Sequence, residues 1–92
     1  MIRSFGNVQT EQIARGRRVR AWVNIERQIR RKLDYLKAAN ELDDLKAPPG
    51  NRLEALKGDR KGQFSIRVND QYRICFRWKG GDAYDVEVTD YH

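Results

Sequence analysis

The sequence predicts an α+β fold with two N-terminal helices packed on one face of a mostly antiparallel sheet. Three observations predict it. Apolar residues recur at three- and four-residue steps through the first half, alternate with polar ones through the second, and change regime at Pro48, Pro49 and Gly50. Neither half can bury its apolar face alone, so residues 1–92 are read as one domain. A chain of 92 residues holds one modest core and is too short for two.

The elements follow in order. Met1 to Phe5 is short enough to be an N-terminal strand. Thr10 ahead of Glu11, Gln12, Ile13 and Ala14, with Gly16 behind them, brackets a short helix between a hydroxyl cap and a glycine stop. From Trp22 onward Ile25, Ile29, Leu33 and Leu36 form one stripe, and Arg27, Arg30, Arg31, Lys32 and Lys37 fall largely between them, which makes this the longest helix. Leu42 to Leu45 adds a helical turn before the prolines force a loop.

A strand is expected around Arg52 to Leu56. Phe64, Ile66 and Val68 then alternate with Ser65, Arg67 and Asn69, and Tyr72, Ile74, Phe76 and Trp78 alternate with Arg73, Cys75 and Arg77 across an Asp70-Gln71 turn. After Lys79-Gly80-Gly81-Asp82, Tyr84, Val86 and Val88 alternate with Asp85 and Glu87. A period of two puts the aromatic and aliphatic side chains on the face that the long helix covers. It puts Arg67, Arg73 and Arg77 on the other.

Charge narrows the function classes. Nineteen Lys and Arg against thirteen Asp and Glu leave +6 and a pI near 9.8, which favours polyanionic partners, nucleic acid first. One cysteine, Cys75, forms no internal disulfide, and one histidine, His92, supplies no zinc ligand set, so no metal and no cofactor are expected. No apolar run reaches signal-peptide or membrane-spanning length, and the expectation is an unprocessed, soluble, cytoplasmic protein with no membrane partner.

The apolar sheet face has a structural role, which leaves chemistry to the polar face and its frame. Leu56 to Gly62 carries two glycines with Lys57, Arg60 and Lys61, and reads either as an ordinary charged turn or as a place for cations near a phosphate; it matches no Walker-type loop. Arg73, held on a strand, offers a fork of donors to phosphate oxygens or else pairs across strands with Asp85 or Glu87. His92 titrates near neutrality, as proton transfer requires, yet sits where chains fray. Tyr91 stacks on a base or plugs the sheet edge. No serine or cysteine nucleophile has a histidine near it in sequence, and Cys75 is read as a small buried residue.

The stretch Pro48-Pro49-Gly50-Asn51-Arg52-Leu53-Glu54-Ala55-Leu56-Lys57-Gly58-Asp59-Arg60-Lys61-Gly62 resembles the linker, strand and basic loop of HigB-type toxins of the RelE superfamily. Ser65-Ile66-Arg67-Val68-Asn69-Asp70-Gln71-Tyr72-Arg73-Ile74-Cys75-Phe76 is similar to their central hairpin, and Asp90-Tyr91-His92 to their C-terminus. Met1 to Phe5 also has the family's look. The pieces occur in the family's order along the chain, weakly from Gly6 to Arg20 and strongly from Pro48 to His92.

The resemblance implies a small RelE-like fold and a metal-independent endoribonuclease toxin that cuts mRNA in the ribosomal A site, with the ribose 2′ hydroxyl attacking the adjacent phosphate. It implies that His92 and Asp90 handle protons, Arg73 and Lys57 stabilise the phosphorane, Tyr91 positions the nucleotide, and Arg60, Lys61 and Arg67 hold RNA backbone. The implied partners are the 70S ribosome with its mRNA and a HigA-like helix-turn-helix antitoxin, with DNA reached only through the antitoxin. Glu54 departs from the pattern, standing where several relatives carry a histidine. It acts either as a general base or, the preferred role, as an ion-pair partner orienting Lys57 or Arg73. Phe64 is assigned to packing. Two other classes compete: a noncatalytic RNA- or ribosome-binding module using the same basic sheet, and a DNA-binding regulator, for which the Arg-rich first half lacks a recognisable helix-turn-helix.

Overall fold

The structure, a computed structural model, describes residues 1–91. Helices α1 (Val8–Ala14) and α2 (Glu26–Ala38) cover one face of an antiparallel sheet ordered β1 (Glu54–Ala55), β2 (Phe64–Arg67), β3 (Tyr72–Lys79) and β4 (Asp82–Asp90). The expected α+β arrangement is what forms. Met1 to Phe5 contributes two isolated parallel bridges, Ile2 to Ala83 and Phe5 to Val86, along the free edge of β4.

Helix α1 starts three residues earlier than the sequence suggests, its cap at Asn7 and not Thr10. Asn7, in extended backbone, accepts the Thr10 N–H at 2.9 Å and is the cap. Thr10 lies inside the helix, fully buried, and its hydroxyl accepts the Val88 N–H of β4 at 2.9 Å. That bond satisfies a strand-edge donor that would otherwise be buried without a partner. Gly16 ends the segment with φ +86, as its position predicts.

The long apolar stripe is real but not one helix. Arg20–Ile25 is a 3₁₀ segment, broken at Trp22, and α2 begins only at Glu26. Ile29, Leu33 and Leu36 are buried against Ile66, Ile74, Phe76 and Val86 in one core cluster. Burial of each such side chain contributes about 2 kcal/mol.

The linker between the two halves is organised by one residue. Asn51 is fully buried, donates from Nδ2 to the Leu45 and Ala47 carbonyls at 3.2 Å each, and accepts the Lys32 ammonium at 2.6 Å. Burial, then Arg31 and Arg67, lowers the Lys32 pKa. Arg52 follows in left-handed backbone, φ +46, and the chain turns into β1.

Two turns set the sheet register. Asn69 closes the first, its Oδ1 accepting the N–H groups of Gln71 at 2.9 Å and Tyr72 at 2.7 Å. Gly80 and Gly81, both at positive φ, form the two-residue loop that pairs Lys79 with Asp82. Between Cys75↔Glu87 and Arg77↔Tyr84 the register slips, so that Asp85 and Val86 stand against Phe76 alone. Asp85 carries the bulge at φ +52, its N–H bonded to the Ser4 hydroxyl at 2.9 Å. The slip corrects the expected alternation in β4: Tyr84 joins Arg77 on the uncovered face, and Ala83 enters the core fully buried.

Candidate active site

The uncovered face is a grid fixed by strand pairing. One row runs Glu54, Ser65, Cys75 and Glu87, and the next runs Arg67, Arg73 and Thr89, each residue directly opposite its neighbour. Two arginines therefore face one another on β2 and β3. Like charges in that position repel, and the structure separates their loads.

Arg67 bonds the exposed Asp70 carboxylate across the turn. Arg73 turns the other way, donating from Nε to the Ser65 hydroxyl at 2.7 Å and from Nη2 to the Arg52 carbonyl at 2.6 Å, with Glu54 Oε1 3.9 Å from the same Nη2. Only 12% of its side chain is exposed. Of the partners weighed for Arg73 from sequence, Asp85 lies beside Arg77 instead at 3.5 Å and Glu87 beside Arg60 at 2.7 Å. Glu54 takes the place at Arg73, with 59% of its own side chain exposed.

Ser65 and Cys75 are fully buried although they lie on the polar face. Arg73 lies over Ser65, and the Tyr91 hydroxyl approaches Cys75. Leu56 N–H bonds the Gln63 carbonyl at 2.9 Å to close the base of the 57–63 loop, Gly58–Arg60 makes a 3₁₀ turn, and Arg60 reaches Glu87 and Gln63 Oε1, the latter at 3.0 Å. The hydrogen bond to Glu87 raises the Arg60 pKa further, fixing its charge. From the other end, Tyr91 donates its N–H to the Gln71 carbonyl at 2.7 Å and brings its hydroxyl 4.0 Å from Cys75 Sγ. Burial first, then Cys75, pushes the Tyr91 phenol above its ordinary value, while Arg60 and Arg73 pull it down.

The sequence-predicted residues thus divide. Arg73, Glu54 and Tyr91 meet around Ser65 and Cys75, with Arg67 opposite Arg73. Asp90 pairs with Tyr72 at the end of β4 and accepts Gln71 Nε2 at 3.1 Å. Lys57 and Lys61 are exposed on the 57–63 loop. Arg60, expected to hold RNA, has its Nη1 engaged by Glu87 and Gln63. His92 lies outside the described residues. Sequence reasoning missed Ser65 and the Arg52 carbonyl as partners of Arg73, and weighed Glu87 for Arg73 where it meets Arg60; Ser65 was on view in the strand alternation with Arg67, the carbonyl was not. Among the described residues no group of three or more His, Cys, Asp or Glu is placed to hold a metal ion, and no helix is long and apolar enough to cross a membrane.

The arrangement is a shallow cationic floor with a carboxylate and a phenol at its margins, suited to an anion such as a phosphodiester. Over its whole length the chain superposes on a chain of the YoeB-YefM complex from Staphylococcus aureus, covering 98% of it with a TM-score of 0.63 at 14% identity, a likeness of fold. In sequence it is 53% identical over 63 residues to Toxin HigB-1 of Vibrio cholerae, a match covering 68% of this chain and 66% of that one. It is 39% identical over 64 residues to Endoribonuclease HigB of Proteus vulgaris, covering 70% and 68%. The chain thus spans about two thirds of the length of these relatives. The family model described as the RelE-like toxin HigB of type II toxin-antitoxin systems matches residues 11–92, and the chain belongs to that HigB-like toxin family.

Proposed function

We propose that this chain is a ribosome-dependent, metal-independent endoribonuclease toxin that cuts mRNA in the ribosomal A site. The observation that carries the reading is Arg73, a guanidinium fixed on its strand by the Ser65 hydroxyl, the Arg52 carbonyl and Glu54, directly opposite Arg67, so that two strand-held cations frame a seat for a phosphate. The relative named Endoribonuclease HigB supports the same chemistry.

In the reaction the ribose 2′ oxygen attacks the neighbouring phosphorus, the P–O5′ bond breaks, and a 2′,3′-cyclic phosphate and a 5′ hydroxyl result. Arg73, oriented by Ser65, Arg52 and Glu54, stabilises the added charge on the phosphorane with Lys57. His92 and Asp90 exchange the protons of the 2′ hydroxyl and the leaving oxygen. Tyr91, its hydroxyl beside Cys75, positions the nucleotide. Glu54 orients Arg73, and Arg67 and Lys61 hold backbone phosphates. The partners are the 70S ribosome with its message and a HigA-like helix-turn-helix antitoxin, in the cytoplasm.

Mapping the ends of a translated message, with and without ribosomes, tests the reading. Cyclic-phosphate ends that need ribosomes and vanish in Arg73→Ala are expected. Equal cutting of naked RNA overturns ribosome dependence, and growth arrest with intact message makes the chain a noncatalytic binding module.

A further inference from the structure

We propose that Glu87 is a positioning residue for this reaction, acting through Arg60 to clamp the 57–63 loop onto the sheet. The inference rests on the reading of the site as a nuclease centre. Arg60 and Glu87 are far apart in sequence and come from a loop and a strand, yet their side chains meet at 2.7 Å with 31% and 23% of each exposed.

The Leu56–Gln63 bond holds the loop's base to the sheet, and the bonds within the loop fix its shape but not the place of its tip. Arg60 N–H to the Lys57 carbonyl at 3.3 Å, Lys61 N–H to Gly58 at 3.1 Å and Gln63 N–H to Arg60 at 2.9 Å all lie within it. Gly58 and Gly62 turn it with φ of +64 and +93, backbone that glycine adopts without steric cost. Arg60 is the residue whose side chain crosses to β4, with Gln63 Oε1 at 3.0 Å steering the same Nη1.

Glu87 is itself held. A methyl group added at Gly6 would come within 3.1 Å of both its Cβ and its Oε2, so the N-terminal segment backs the carboxylate against the sheet. Glu87 also stands directly opposite Cys75, whose sulfur touches the Tyr91 hydroxyl. One ion pair therefore anchors the loop that carries Lys57 and stands one strand away from the Cys75–Tyr91 contact. A half-buried, charge-assisted bond of this kind survives where an exposed pair would not. Arg60 is then part of the scaffold, and its sequence-stretch neighbours Lys57 and Lys61 stay available to RNA.

The test compares Glu87→Ala, Arg60→Ala, both together, and the exchanged pair R60E/E87R in the full chain. Amide hydrogen exchange in residues 58–63 reads the clamp without RNA, and ribosome-coupled cleavage reads its effect. Each single change is expected to speed loop exchange about tenfold, the double change no further, as coupled partners behave. The same variants should lower kcat about tenfold with KM within about twofold, and the exchanged pair should recover most of it, a pattern that a general loss of fold does not produce. Unchanged loop exchange in Glu87→Ala overturns the clamp. So does a rise in KM for Arg60→Ala beside a fully active Glu87→Ala, which makes Arg60 a substrate contact. If the loop loosens but the unaltered chain cuts no message, the nuclease reading has failed and the positioning role falls with it.

Discussion

Lys32 on α2 and Asn51 in the linker meet at 2.6 Å, and through them the helical half of the chain holds the strand half in place. Asn51 also binds two carbonyls of its own linker and precedes Arg52, whose carbonyl accepts Arg73. Replacing Asn51 by Leu leaves the Leu45 and Ala47 carbonyls without its donors and an ammonium without its acceptor. The expected loss is about 2–4 kcal/mol by urea denaturation, since buried partners left unsatisfied cost more than the bond itself is worth. Retained stability would mean that water replaces the amide fully.

Arg73→Lys keeps the charge and removes the fork. A lysine's donors all radiate from one nitrogen, so it lacks the planar fork in which Nε holds the Ser65 hydroxyl and Nη2 the Arg52 carbonyl while Nη1 remains for a phosphate. Ribosome-coupled cleavage should fall about 10²-fold or more, the size expected for a lost transition-state donor, with the melting temperature within a few degrees. Cleavage within twofold of the parent would show that a point charge suffices.

How far the site was legible depends on which interaction carries each feature. The strands were legible because Ile66, Ile74 and Phe76 alternate with Ser65, Arg73 and Cys75, and a period of two translates directly into faces. The fate of Tyr84 was not, because the slip that moves it arises at Asp85, a non-glycine residue at φ +52 supported by Ser4 from the far end of the chain. Alternation likewise assigns Ser65 and Cys75 a face but not a cover, and Arg73 lies over the first and Tyr91 beside the second. Lys57, Arg60 and Lys61 look interchangeable in sequence. Only the position of Glu87 separates Arg60 from the other two.

Asp44 predicts a pH dependence of stability. Its carboxylate accepts the Glu41 and Asn40 N–H groups at 3.0 Å each, and these bonds lower its pKa from the ordinary 3.8. A folded-state pKa below the unfolded one adds stability above the unfolded value, which disappears as pH falls through the folded value. Asp44→Asn keeps an acceptor but cannot titrate. Urea midpoints of parent and variant should therefore differ above pH 5 and converge below pH 3.8, so a constant gap across that range would contradict the assignment.

Thr10→Val tests whether α1 holds β4 by more than packing. Valine fills the same buried volume between Ile13 and the sheet, so cavity formation contributes little, but it leaves the Val88 N–H with no acceptor at the strand edge. That donor is a backbone group and cannot turn away to find water, so the full penalty of an unsatisfied buried N–H, about 1–3 kcal/mol, should show in the unfolding free energy. Thr10→Ser restores the acceptor while losing only a methyl group, and is expected to recover most of the difference. Should valine and serine prove equally stable, the hydroxyl bond to β4 has no net worth, and the helix is held by Ile13 and its neighbours alone. Because β4 ends in Asp90 and leads directly into Tyr91, the same valine variant should also speed amide exchange at residues 88–91.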